Sequence, residues 1–296
     1  MAQKDYRGAR SKLQAKIKRP LNVSRGVLSY TNRDKSKINH KQMAKHIIAV
    51  LNQKGGVGKT TTVVNLAVYL RKLNKSVLVV DIDPQGNATS GLGVNKTLIT
   101  ASTKELMLGA MPIEQIVLHV EGGVHLVPTG QNLAALEVEL VNGADREYRL
   151  RRALERSNYD YIIIDCPPSL SLLTVNALAA ADSILIPVQA EYYALEGLSQ
   201  LLEVVQLVKS GLNPNIELLG VLLTMFDRRN TLAEQVRSEV ENHFGAKVFT
   251  TVVPRNVRLA EAPSYGQSIH AYDKRSKGAR AYHSLAKEVH KRAGGA

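Results

Sequence analysis

Lys54-Gly55-Gly56-Val57-Gly58-Lys59-Thr60 concentrates three glycines, two lysines and a hydroxyl residue in seven positions. That composition suits the cradling of a polyphosphate. Glycine lets backbone N–H groups wrap closely around an anion through dihedrals that a β-carbon forbids. Lys59 can reach the β- and γ-phosphates of a nucleotide, and Thr60 can offer its hydroxyl to Mg²⁺. Gln53 stands where the generic Gly-x4-Gly-Lys-[Ser/Thr] pattern has its first glycine, so the loop is a variant, and Lys54 is one cation more than the pattern needs. The second constellation is acidic: Asp81 and Asp83 end the run from Ser76, and Asp165 ends the run from Tyr161. Carboxylates facing phosphates can hold Mg²⁺ or orient water. Any one of them alone reads better as a helix N-cap or a strand-end turn residue; three in this arrangement shift the balance towards chemistry.

These groups can act together only if the chain brings them to one edge. The apolar runs at 46–52, 76–81, 124–128, 160–165, 183–188, 217–224 and 248–253 read as strands. They alternate with helical patterns near 60–73, 132–156, 171–181, 195–210, 231–244 and 279–292. Alternation of this kind predicts an α/β fold, a doubly wound and mainly parallel sheet with helices on both faces. Ligands then sit beyond the carboxyl ends of the strands, where the loop after the first strand and the three acids converge. A helix N-terminus behind the loop adds unpaired N–H groups and the positive end of its dipole.

Lys54-Gly-Gly-Val-Gly-Lys-Thr-Thr61, Asp81-Ile-Asp-Pro-Gln-Gly-Asn-Ala-Thr-Ser-Gly91 and Asp165-Cys-Pro-Pro-Ser169 together resemble the deviant Walker ATPases of the ParA/Soj chromosome-partitioning family. The likeness runs from about residue 46 to 292 and takes in the runs Pro187–Gly197 and Pro254–Ser264. It implies ATP and Mg²⁺ as cofactors, slow hydrolysis awaiting a partner, and an ATP-dependent homodimer in which Lys54 reaches the nucleotide of the other subunit. Lys59 and Thr60 match the in-subunit phosphate and metal residues within a nucleotide-binding set of Lys54, Gly55, Gly56, Val57, Gly58, Lys59, Thr60 and Thr61. By the same resemblance Asp83 positions the attacking water, Asp81 lies beside the hydration shell of the metal, and Asp165 acts on Mg²⁺ through water. Pro254 and Asn256 match a stretch that packs on adenine. Arg229 and Arg258 match arginines that bind DNA non-specifically, with Arg228 and Arg255 as further candidates. The implied partners are DNA and a ParB-like centromere-binding protein, and the implied location is the nucleoid.

Charge distribution agrees with a polyanionic partner. Of a formal net charge of +13, residues 1–45 contribute 13 Lys/Arg against two Asp, and residues 252–292 contribute nine Lys/Arg against three acids. The 1–45 segment reads as a disordered basic tail, either a DNA contact or a solvated charge run, ahead of a single ATPase domain over 46–296. It is too short for a helix-turn-helix domain. A single cysteine, Cys166, excludes an internal disulfide framework and a cysteine-bridged cluster of the nitrogenase iron-protein kind, and fits a reducing cytoplasm. No apolar run reaches membrane-spanning length. The rival reading is a MinD-like ATPase bound to a membrane through a C-terminal amphipathic helix, or the same machinery on another cargo. In the last segment Tyr282, Leu285, Ala286 and Val289 lie at helical spacing and are more simply read as packing on their own domain.

Overall fold

A computed structural model describes residues 45–295, apart from 131, 142, 192 and 193. The basic tail, as far as residue 44, therefore lies outside the described residues, as do Tyr192 and Tyr193 of the Pro187–Gly197 run. Seven strands form one sheet: β1 His46–Val50, β2 Val77–Asp81, β3 Leu118–His119, β4 His125–Val127, β5 Tyr161–Asp165, β6 Ser183–Gln189 and β7 Glu217–Thr224. Their order is β3-β4-β2-β5-β1-β6-β7, parallel throughout except for the two-residue edge strand β3, which runs against β4. The central strand is β5, and β1 lies between β5 and β6.

The helices are α1 Lys59–Lys72, α2 Asn87–Gly91, α3 Thr103–Leu108, α4 Ile113–Ile116, α5 Leu133–Leu140, α6 Arg149–Leu154, α7 Leu172–Ala180, α8 Ala194–Gly211, α9 Thr231–Phe244, α10 Val257–Glu261, α11 Ile269–Asp273 and α12 Lys277–Arg292. Because successive side chains on a strand face opposite ways, the sheet feeds two cores. Ile47, Ala49, Leu78, Val80, Ile162 and Ile164 pack towards the α5–α9 side. Ile48, Val50, Val77, Val79, Tyr161 and Ile163 pack towards α1 and α12. Both faces are covered, as the unbroken apolar strands predict.

Two expectations are corrected. The 248–253 segment is not a strand: it runs beside β7 with only isolated bridges, Val221 to Val248 and Phe226 to Pro254. The Thr250 and Thr251 N–H groups donate to the Glu288 carboxylate (2.8 and 3.0 Å), which takes them out of any ladder. The single helix expected near 132–156 is two, α5 and α6. Between them Asp145 adopts a left-handed backbone (φ 53°), which no helix continues through. The last helix, α12, buries Tyr282, Leu285, Ala286 and Val289, as their spacing predicts. Tyr282 also meets Thr62 of α1 at 3.2 Å through the two hydroxyls.

Candidate active site

The loop between β1 and α1 turns where Gly56 and Gly58 take positive φ (75° and 89°), a region costly for any side chain. Its neighbours hold it in place. Asn52 donates to the Pro187 carbonyl (2.7 Å) and accepts from the Lys54 N–H (3.0 Å), and the Thr224 hydroxyl donates to the Val57 carbonyl (2.8 Å). A cavity of about 550 Å³ opens beside it, lined by the glycines, Lys59, Thr60, Thr61 and Asp83. The fold thus brings the phosphate-loop residues and one carboxylate to a common space.

The two lysines of the loop diverge. Lys59 is only 7% exposed and its ammonium donates to the Lys54 carbonyl at 3.2 Å. Burial pushes its pKa below the ordinary lysine value, while Asp165 and Asp83 pull it back up. The Lys54 side chain is 45% exposed, lies outside the cavity lining, and places its ammonium 2.6 Å from Glu191 of the same chain. Glu191 is held in turn by the Gln189 side-chain amide.

The three acids occupy different situations. Asp165 is fully buried; its Oδ2 accepts from the Thr60 hydroxyl (2.8 Å), and its Oδ1 has no hydrogen-bond partner among the described residues. Burial, and then the nearby Asp81, push its pKa well above the carboxylate range. Asp83 uses Oδ1 to accept from the Gln85 N–H (2.9 Å) and lines the cavity. Asp81, read from the resemblance as a neighbour of the metal, is occupied inside the protein. Its Oδ2 accepts from the Thr89 N–H and hydroxyl (2.8 and 2.6 Å), and its Oδ1 accepts from the Asp83 N–H (3.2 Å). Burial raises its pKa to about 6 despite those bonds.

This donor set fits a nucleotide with Mg²⁺. A buried carboxylate oxygen without a partner, a threonine hydroxyl beside it, a buried ammonium and a glycine-lined turn at a helix N-terminus are matched to a divalent cation and phosphates. Among the described residues no group of three His, Cys, Asp or Glu side chains could hold a metal by itself. Mg²⁺ commonly takes its remaining ligands from phosphate and water.

The other expected residues fall elsewhere. Pro254 and Asn256 do not line this cavity; Asn256 caps α10 by accepting from the Leu259 N–H (3.2 Å). Met225, Ala262, Pro263, Ser264 and Gln267 are among its lining residues instead. Arg228, Arg229 and Arg255 share a separate cavity of about 660 Å³ with Lys277, whereas Arg258 lies outside it on α10, paired with Glu261 (2.9 Å). Arg229, its side chain 90% exposed, pairs with Asp227 (2.8 Å), whose pKa its hydrogen bonds hold down to about 2. The reading of the sequence missed Asn52, Thr89, Thr224 and Glu191. Asn52, just ahead of the loop, and Thr89 and Glu191, each inside a run already singled out, left a local signal, and Thr224 left none.

Residues 45–218 match a protein family described as an AAA domain. The chain is 51% identical to the chromosome partitioning protein ParA of Myxococcus xanthus, over 91% of this chain and 95% of that one. It is 56% identical to the sporulation initiation inhibitor protein Soj of Bacillus subtilis, over 82% and 97%. Among solved structures, a Mycobacterium smegmatis protein described as cobyrinic acid a,c-diamide synthase, with bound ATP analogue and magnesium, superposes with a TM-score of 0.74 at 37% identity, covering 82% of this chain and 93% of that one. Identity to the partitioning proteins is much the higher, and it extends over most of both chains. With its phosphate loop and acids at the carboxyl edge of the sheet, the chain belongs to the ParA/Soj family of chromosome-partitioning ATPases.

Proposed function

We propose that this protein is an ATP-driven switch for DNA partitioning, in which ATP and Mg²⁺ bound at the Lys59 loop join two subunits and the dimer binds DNA without sequence preference. The observation that carries the reading is the divergence of the two loop lysines. Lys59 faces the cavity of its own subunit, while Lys54 stands at the surface with its ammonium free to exchange one anionic partner for another.

Lys59 and the N–H groups of Gly55 to Thr61 would hold the β- and γ-phosphates. Thr60 and Asp165 would hold Mg²⁺, Asp165 through water, and the metal would supply neutralisation of the charge that develops on the phosphates. Asp83, with Oδ1 engaged by Gln85, has Oδ2 to orient a water towards the γ-phosphate. Lys54 would leave Glu191 for the partner's phosphates, where an inserted cation offsets the charge of two facing nucleotides. Arg229 and Arg258, with Arg228 and Arg255, would meet the phosphate backbone of DNA through planar, permanently charged forks. The basic segment 1–45 would add to that contact, ahead of a single ATPase domain over 46–296. Hydrolysis stimulated by a ParB-like partner would release the dimer from the nucleoid.

The test is retention on DNA with ATP, with ADP and without nucleotide, read beside oligomeric state. Lys54→Ala should bind ATP yet remain monomeric and lose ATP-dependent retention. Dimerisation and retention like wild type in that variant would sink the reading. The rival membrane role predicts ATP-dependent flotation with liposomes; among the described residues no helix is long and apolar enough to cross a bilayer, and the apolar face of α12 is already buried.

A further inference from the structure

The turn that carries Asp83 is held from beneath by four buried residues drawn from separate parts of the chain. Asp81, Thr89 and Thr103 are fully buried, and Thr129 is nearly so. The Thr129 N–H donates to the Thr89 hydroxyl oxygen (2.9 Å), and that hydroxyl donates to Asp81 Oδ2 (2.6 Å). Accepting from Thr129 fixes where the Thr89 proton must go, so the bond to Asp81 is directional. The Thr129 and Thr103 hydroxyls both donate to the Asp81 carbonyl (2.6 and 2.8 Å). The other carboxylate oxygen of Asp81 then accepts from the Asp83 N–H (3.2 Å). The relay therefore runs from the end of β4 through Thr89 of α2 and Asp81 of β2 to the backbone of Asp83. A second brace comes from Gly86, whose N–H donates to the Asp83 carbonyl (2.8 Å).

We infer that Thr89 is a positioning residue for hydrolysis: its hydroxyl, set by Thr129, orients the Asp81 carboxylate so that the Asp83 turn presents its free carboxylate oxygen to the cavity. This rests on Asp83 being the residue that orients the water. Thr89 itself does not line the cavity that Asp83 lines. Burial makes each member costly to leave unpaired, which is what makes the turn stiff. Misplacement of a reacting group by about 1 Å can cost up to ~100-fold in rate, so a loosened turn should show in kcat before it shows in binding.

The experiment compares Thr89→Val, nearly isosteric but without the hydroxyl, with Thr89→Ser, which keeps it. Thr89→Val should lower kcat by roughly 10-fold or more while leaving KM and the Kd for ATP within about 3-fold, and Thr89→Ser should recover most of the rate. In nucleotide-free protein, amide hydrogen exchange over 82–86 should quicken in Thr89→Val and stay near wild type in Thr89→Ser. Thr89→Ala, which removes the same hydroxyl with a smaller side chain, should shift kcat and exchange in the same direction, and it decides the matter if Thr89→Val does not fold. Wild-type kcat and exchange in Thr89→Val or Thr89→Ala, or a rise in KM at constant kcat, overturns the assignment of Thr89. Asp83→Ala serves as the separate control. Wild-type turnover in that variant would remove the premise about Asp83, whereas an inactive Asp83→Ala beside a fully active Thr89→Val would refute the positioning role alone.

Discussion

Lys54 and Glu191 form an ion pair whose two side chains are each almost half exposed, 45% and 46%, and 137 positions apart in the chain. Exposed pairs of this kind contribute about 0.2–1 kcal/mol, because water screens the attraction and two long side chains lose freedom. The contact is thus strong enough to park the ammonium and weak enough to release it. If Lys54 acts in the partner's site, Glu191 competes for it. Glu191→Gln should then lower the ATP concentration for half-dimerisation by up to about fivefold, measured by light scattering across an ATP titration. An unchanged or higher midpoint would count against competition. Asp81 shows how far a neighbour can differ: next to Asp83 in a phosphate-facing motif, it nonetheless spends its carboxylate on Thr89 and a backbone N–H.

Among the elements, α12 fastens the 249–251 segment that runs beside β7. Glu288 near its end accepts from Thr250 and Thr251 and pairs with Arg292 (2.8 Å), and Arg292 stacks over Phe249 with its guanidinium carbon 4.1 Å from the ring centre. Burial alone would raise the Glu288 pKa, but the two backbone donors and Arg292 outweigh it and hold the group below the ordinary 4.5. A carboxylate with a depressed folded pKa stabilises the fold above its unfolded value, and that contribution fades as pH falls through the folded value. Glu288→Gln should cost about 1–3 kcal/mol near neutral pH, with the gap to wild type closing below 4.5, as followed by thermal melts across pH. A gap independent of pH would show that the carboxylate charge contributes nothing. Leu285→Ala, on the buried face of the same helix, should cost about 2–5 kcal/mol at every pH in the same melts.

At the scale of the molecule, the phosphate-loop cavity and the surface proposed to meet DNA are built by different parts of one fold. The cavity at the β1–α1 loop and the arginine-lined cavity of Arg228, Arg229 and Arg255 share no lining residue, and Arg258 lies apart from both. Arg258→Glu should therefore abolish DNA retention while ATP binding and dimerisation survive, checked by nucleotide titration and light scattering. Joint loss of all three would contradict that separation. Salt dependence gives a second readout, because every phosphate a cation neutralises releases counterions from the DNA. Arg258→Ala should flatten the slope of log affinity against log salt by about one for each phosphate left without its arginine.

Much of this architecture was readable from residue order. Strands buried on both faces leave unbroken apolar runs, and a phosphate loop must carry its glycines and lysine at set spacings, so β1, β2, β5, β6, β7, the Lys54–Thr60 loop and the acids at 81, 83 and 165 all left local marks. What required the folded chain was every relation between distant segments. Lys54 met Glu191, Thr89 met Thr129, and Glu288 drew the 250–251 backbone away from β7, through hydrogen bonds and an ion pair that no periodicity records. The left-handed Asp145 that splits α5 from α6 is likewise a backbone state that many sequences could avoid. Spacing names the groups able to do the chemistry; three-dimensional packing assigns each of them a partner, because a buried donor or acceptor must find one wherever the fold supplies it.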